Sequence, residues 1–283
     1  MGAVPIFQPT EGSPMRVAGF MSGSGTNLVR ILEYQQRLVR TTGSSPYQVT
    51  LIFTDRRDSN AEDIAKDYDL PVVVNDIMDF YRSRGHANKL DLSLRPAFDE
   101  KTVELLADRP IDMIALAGYM SIVTEPLLRA YAGRMVNVHP ADLRVTRGGE
   151  RVYTGARAIE LAILAGEKSL YSTTHLVREE VDAGEILLVS DPVRVELPHP
   201  YELAELREPE HRTALRRIAD GHQERVKTQA DWVIYPKTLE LLGSGRFALA
   251  DGVVHFDGRP CPMGVEMTAI RAGESASATP ATG

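Results

Sequence analysis

The chain has 283 residues, 43% hydrophobic and 25% charged, and a net charge of -7. That is enough apolar material for one large domain or two small ones, and the acidic balance argues against broad nucleic-acid or anionic-membrane binding. A single cysteine, Cys261, leaves no intrachain disulfide.

Residues 1–14 hold acid, Pro and Gly without a basic stretch leading into an apolar one. They read as a flexible leader and not as a secretory signal. No run approaches the ~20 apolar residues of a membrane span, so the expected location is cytoplasmic. Arg16 to Met21 forms a short buried-type strand, and Ser22-Gly23-Ser24-Gly25-Thr26-Asn27 follows at once. Leu28, Ile31, Leu32 and Leu38 then recur at helical spacing. Strand, glycine-rich turn and helix make a natural anion site, because glycines let the backbone approach and the helix start presents free N–H groups. The loop lacks a Walker lysine and the three-glycine dinucleotide fingerprint, which counts against a dinucleotide oxidoreductase. Its plain alternative is a tight turn with Thr26 or Asn27 capping the helix.

The alternation repeats. Val49 to Thr54 is a strand, Ala61 to Tyr68 a helix, Leu70 to Val74 a strand, and Asp99 to Ala107 a helix. Ile111 to Leu116 is a near-continuous apolar strand, and Thr124 with Pro126 opens a short helix to Tyr131. Arg134 to Val138 is an apolar run that delivers Asn137 and His139 before Pro140 stops it. Side chains alternate along a strand, so Asn137 and His139 project together. An amide can donate to a developing oxyanion, and an imidazole can carry a proton near neutral pH. Strands alternating with helices imply a parallel sheet whose ligands sit beyond the strand carboxyl ends, which puts this pair and the glycine-rich loop on one rim.

Residues 141–153 read as an exposed, mobile loop over that rim, and Ala156 to Leu164 as a helix closed by Gly166. Ser172 to Val177 reads as a strand with Thr173 and His175 on one face, and Glu179 to Gly184 as a turn that aims Asp182 back over the rim. A hydrogen-bonded structural histidine and an ordinary turn aspartate are the plain alternatives. Ile186 to Val189 is a further strand. Glu196 to Trp232 gives one or two solvated helices with mixed charge, and Tyr235-Pro236 precedes a helix ending at Gly243. Phe247 to Leu249 and Val253 to Phe256 form a hairpin through Asp251-Gly252. Residues 265–283 are expected to be a mostly disordered tail. No Cys/His cluster has metal-ligand spacing, so no metal is expected.

Taken together, the ordered motifs resemble the folate-dependent formyltransferases, those that formylate glycinamide ribonucleotide above all. The likeness runs from about Met15 to Val254. It rests on Ser22 to Asn27, Arg95-Pro96-Ala97-Phe98-Asp99, Leu116 to Met120, Tyr131 to Pro140, Thr174-His175, Val181-Asp182-Ala183-Gly184 and Ile234-Tyr235-Pro236. The resemblance implies an α/β, Rossmann-like, mostly parallel sheet with helices on both faces and a C-terminal β-hairpin extension. It implies a catalytic domain over 15–264, nucleotide-binding in its N-terminal half and folate-binding and catalytic in the rest.

It further implies 10-formyltetrahydrofolate as co-substrate, small-molecule partners and compatibility with a homodimer. Asn137, His139 and Asp182 match the family's catalytic trio, and His175 a supporting histidine. Gly25, Thr26 and Asn27 match the loop that holds the ribose phosphate. Arg95 matches a basic residue of the nucleotide pocket, and Asp231 an acid that holds the ribose. Met120, Ser121, Ile122, Val123, Glu179 and Glu180 match the walls around the pterin. The chain departs from the family at Ala141 to Val145, in the longer stretch from His139 to His175, at Ser121 in place of Arg, and in the charged segment 196–228. These departures surround the amine side, so another acceptor such as a nucleotide-linked amino sugar stays open. Hydrolysis of formyltetrahydrofolate and non-catalytic nucleotide or folate binding also stay open.

Overall fold

A computed structural model describes residues 2–89 and 91–277, with side chains as far as 274 in the last helix. Eight strands build the main sheet: β1 (Met15–Met21), β2 (Tyr47–Thr54), β3 (Val72–Val74), β4 (Met113–Leu116), β5 (Met135–His139), β6 (Thr173–Leu176), β7 (Ile186–Val189) and β8 (Val265–Glu266). Their order across the sheet is β8-β7-β6-β5-β4-β1-β2-β3. The five strands from β3 to β5 run parallel, β6 is antiparallel to both neighbours, and β8 runs parallel to β7. β1, β4 and β7 are buried along every inward and outward position but Arg16, as strands covered on both faces must be.

The chain order reverses between β1 and β4, and a crevice opens at such a switch point. The turns that leave these two strands are tied together. Ser22 N–H donates to Gly118 O at 3.1 Å, and Met120 N–H to Ser22 Oγ at 2.9 Å. The glycine-rich loop and the 117–124 segment are therefore one rim.

One apolar layer joins the sheet to the Thr26–Thr42, Ala61–Tyr68 and Trp232–Gly243 helices through Leu28, Ile31, Ile64, Ile234 and Leu239. The opposite layer packs Phe20, Ile114 and Met135 under Leu106 and Leu127 of the Arg95–Leu106 and Glu125–Ala130 helices. A satellite cluster unites the Ala158–Ala165 and Arg212–Val226 helices with Ala141 and Tyr153. The charged segment is thus not merely solvated. Leu215, Ile218, Ala219 and Val226 make a buried stripe at helical spacing, and its charges lie on the other side.

Four readings are corrected. The leader is structured in part: Val4–Pro5 pairs antiparallel with Phe247–Ala250, and Ile6 and Phe7 pack on the core. The tail is structured too, since Val265–Glu266 extends the sheet and Met267–Ser277 is helical with Met267 and Ile270 buried; residues 278–283 lie outside the described residues. The helix over Pro236 starts before it, at Trp232, and Pro236 lies one turn in. A π-turn over Lys227–Asp231 leads straight into it, so the helical run begins well before the proline. Residues 141–153 form a small hairpin, Thr146–Arg147 against Glu150–Arg151. Unforeseen altogether is the Ile77–Arg82 helix, capped by Asp76, whose carboxylate accepts from Asp79 N at 2.9 Å. The expected hairpin at Asp251-Gly252 is present, with both residues at positive φ.

Candidate active site

β5 ends the parallel set, and its last residues alternate as the sequence requires. Antiparallel β6 then sets Thr173 opposite His139 and His175 opposite Asn137. Asn137 Nδ2 lies 3.4 Å from His175 Nε2. His175 Nδ1 donates to Leu176 O at 2.9 Å, and its Nε2 lies between Asn137 Nδ2 and Asp182 Oδ1. Thr173 holds the chain that follows β5: its hydroxyl donates to Ala141 O at 2.7 Å and accepts from Leu143 N at 3.3 Å.

The Glu179–Gly184 turn does return over the rim. Asp182 adopts a left-handed backbone, φ 57°, at 7% exposure. Its Oδ2 lies 3.3 Å from His139 Nδ1 and accepts from Gly155 N at 2.8 Å, while Oδ1 lies 3.5 Å from His175 Nε2. Burial works against the charge on Asp182. The His175 hydrogen bond, the nearby His139 and the Gly155 N–H outweigh it and hold the carboxyl at about 2. Gly184 closes the turn where a side chain has no room, because a Cβ there would sit 1.6 Å from Leu176 O.

His139 is 5% exposed. Its Nε2 lies 2.8 Å from Tyr153 O, a carbonyl that only accepts, so this nitrogen carries a hydrogen. Nδ1 faces an ionised carboxylate. With an acceptor at each nitrogen, the geometry is that of the imidazolium. Burial pushes His139 below the usual histidine range, and Asp182 and the Tyr153 carbonyl offset this only in part. Any charge on the ring therefore depends on Asp182 staying ionised.

The glycine-rich loop ends in Gly25, φ 67°, which caps the Thr26–Thr42 helix. Neither Thr26 nor Asn27 makes the side-chain cap, which corrects the plain reading of that turn and leaves the helix start uncapped by any side chain. A Cβ on Gly25 would lie 2.5 Å from Ile64 Cδ1. Asp231 is 5% exposed, next to Ser172, whose hydroxyl donates to Oδ1 at 2.5 Å. Burial raises it to about 6 against the opposing hydrogen bonds of Ser172 and Asn27. Asn27 and Asp231 are thus brought together, beneath the surface.

Arg95 is placed differently from expectation. It is 2% exposed, and its Nε and Nη2 are spent on Ile122 O, with Nε at 3.2 Å. Asp99, one helical turn on, accepts from Thr124 N and Oγ1 at 2.6 and 2.7 Å. Together they brace the 120–124 segment from below. On that segment Met120 and Ile122 are exposed at 73% and 45%, Val123 is buried, and Ser121 Oγ donates to Asp55. Glu179 and Glu180 are exposed on the opposite turn. Sequence reasoning missed Tyr153 and Gly155, which act through backbone atoms, and Arg151, whose Nη1 donates to Asp182 O. Arg95, Asp55 and Asp99 leave Nη1, Oδ1 and Oδ1 buried without hydrogen-bond partners beneath that wall.

The chain is similar to known proteins along most of its length. A phosphoribosylglycinamide formyltransferase of Haemophilus influenzae is 27% identical over 248 residues, covering 87% of this chain and 96% of the relative. Among solved structures, glycinamide ribonucleotide transformylase 1 of Symbiobacterium toebii is 28% identical with a TM-score of 0.61, covering 87% of this chain and 95% of that one. Phosphoribosylglycinamide formyltransferase of Bacillus halodurans is 30% identical with a TM-score of 0.54, covering 80% and 93%. The formyl transferase family model matches residues 15–215. The chain belongs to the formyl transferase family.

Proposed function

We propose that the protein transfers the formyl group of 10-formyltetrahydrofolate to the amine of glycinamide ribonucleotide. One observation carries the reading: an ionised carboxylate, Asp182, set 3.3 Å from His139 and 3.5 Å from His175, beside Asn137 at the end of β5. In this scheme the neutral amine attacks the formyl carbon, and negative charge grows on the formyl oxygen. Asn137 Nδ2, which has a second hydrogen beyond the one facing His175, donates to that oxygen, and His139 joins it by exchanging its Tyr153 O or Asp182 contact for the oxygen. The C–N bond to the folate breaks as the folate nitrogen gains a proton and the new amide nitrogen loses one.

An acid held at about 2 is a poor resting place for that proton. Asp182 therefore serves as an acceptor that favours the charged form of His139 and passes the proton on through water, and does not store it. The glycine-rich loop with its uncapped helix start suits the nucleotide phosphate. Asn27 and Asp231 suit the ribose side, and exposed Met120 and Ile122 suit an aromatic pterin. Arg95 supports that wall from beneath. The catalytic unit spans 15–264, with the nucleotide side mainly in its first half and Asp231 joining it from the second.

The test is release of tetrahydrofolate on mixing the protein with 10-formyltetrahydrofolate and glycinamide ribonucleotide. Turnover that requires glycinamide ribonucleotide supports the reading. Equal turnover without any amine replaces it with hydrolysis, and turnover only with another amine replaces the acceptor.

A further inference from the structure

The segment between β5 and the Ala158–Ala165 helix is pinned where it enters and where it leaves. On entry, Arg144 grips Asp142 through Nε and Nη2 at 2.8 and 2.9 Å, and its Nη1 reaches Glu266 of β8 at 2.7 Å. The chain then reverses through Gly148 and Gly149, both at positive φ, with Thr146 opposite Arg151. On the way out, alternate residues turn to the trio. Arg151 Nη1 donates to Asp182 O, Tyr153 O accepts from His139 Nε2 at 2.8 Å, and Gly155 N donates to Asp182 Oδ2 at 2.8 Å. All three contacts come from one five-residue stretch, so a single strap closes over the site.

Arg151 is the only one of the three that acts through its side chain. It is half-buried, and the carboxylates that face it are Asp182, Glu185 and Glu180. Its bond goes to the carbonyl of the one residue in the turn that holds a left-handed backbone.

We propose that Arg151 is a positioning residue for formyl transfer: seated on the Asp182 carbonyl, it locks strap and turn together, so that the Gly155 N–H and the Asp182 carboxylate meet His139 as one unit. This rests on the reading of Asn137, His139 and Asp182 as the reacting groups. Arg151 is assigned no contact with either substrate. Its removal is therefore read in kcat, with little change in KM.

The experiment measures kcat and both KM values for Arg151→Met, Arg151→Lys, Asp182→Asn and the double variant Arg151→Met/Asp182→Asn, with thermal unfolding alongside. Arg147→Gln, an exposed residue of the same hairpin, is the control and is expected to keep parent activity. Arg151→Met is expected to lower kcat about 10–100-fold with KM values within about threefold, and Arg151→Lys to recover about tenfold of the loss. In the Asp182→Asn background the same Met substitution is expected to cost less than about threefold, because its route to the chemistry is already gone. Fully multiplicative losses in the double variant overturn the proposal, as does a loss confined to KM. Parent-like kcat in Arg151→Met beside a collapse in Asp182→Asn overturns the role of Arg151 alone. Parent-like kcat in Asp182→Asn overturns the underlying trio as well.

Discussion

Replacing Asp182 by Asn tests the electrostatic core of the site, because it keeps the shape and removes the charge. The carboxyl titrates at about 2 in the fold against an ordinary value of 3.8. That difference of about 1.8 pH units corresponds to about 2.5 kcal/mol of stability at neutral pH. The sign follows from the direction. A depressed acid is stabilising above its unfolded pKa, and the contribution disappears as pH falls through 3.8 and on past 2. Between pH 7 and pH 3 the parent should lose about 1 kcal/mol from this group, and the Asn variant none of it. Urea unfolding of both proteins at the two pH values isolates the effect, since the other carboxylates cancel. The same charge faces His139 Nδ1, so kcat should fall by at least about 10², the range of a lost general acid–base partner. Parallel stability curves for the two proteins from pH 7 to pH 3, or kcat within threefold of the parent, would refute the reasoning.

Asn137→Ala and His139→Ala should each lower kcat by about 10²–10³ and leave the far-ultraviolet circular dichroism unchanged, as for loss of one oxyanion donor. Asp231→Asn should separate stability from activity. The carboxyl is raised to about 6, so its ionisation opposes folding as pH rises from 3.8 through 6. The variant should match the parent near pH 4, exceed it by up to about 3 kcal/mol at pH 8, and raise the KM for the nucleotide. Gly25→Ala places a Cβ 2.5 Å from Ile64 Cδ1 at φ 67°. A loss of about 1–2 kcal/mol, a melting temperature lower by about 3–6 °C, and weaker nucleotide binding should follow.

The parts of this architecture that were legible in the sequence are the periodic and local ones. The alternation that sends Asn137 and His139 the same way is a property of any strand, and the glycine-rich turn after β1 announces its own backbone needs. The seven-residue interval from His175 to Asp182 reads as strand plus turn. What escaped is of another kind. Tyr153 and Gly155 contribute a carbonyl and an N–H, groups that every residue has, so no side chain advertises them. Arg95 looks like a free cation in the sequence, yet the fold buries it under Ile122. The Val4–Pro5 and Val265–Glu266 strands are two residues each, and their pairing depends on partners far off along the chain, Leu249 for Val4 and Leu188 for Val265. The Pro236 boundary failed because proline reads locally as a helix start, while here the helix runs in from Trp232 and passes through it.

The opposed strands β5 and β6 give the chemistry a parity. Slipping β6 by one position would turn Thr174 and Leu176 toward the rim and carry His175 to the far face. Thr174 resists this: its hydroxyl meets that of Thr238 at 2.8 Å on the other side of the sheet. The linker between the two strands is held by other means, the Tyr153 and Gly155 contacts to His139 and Asp182. A residue gained inside either strand scrambles the reacting groups while leaving a well-packed protein behind.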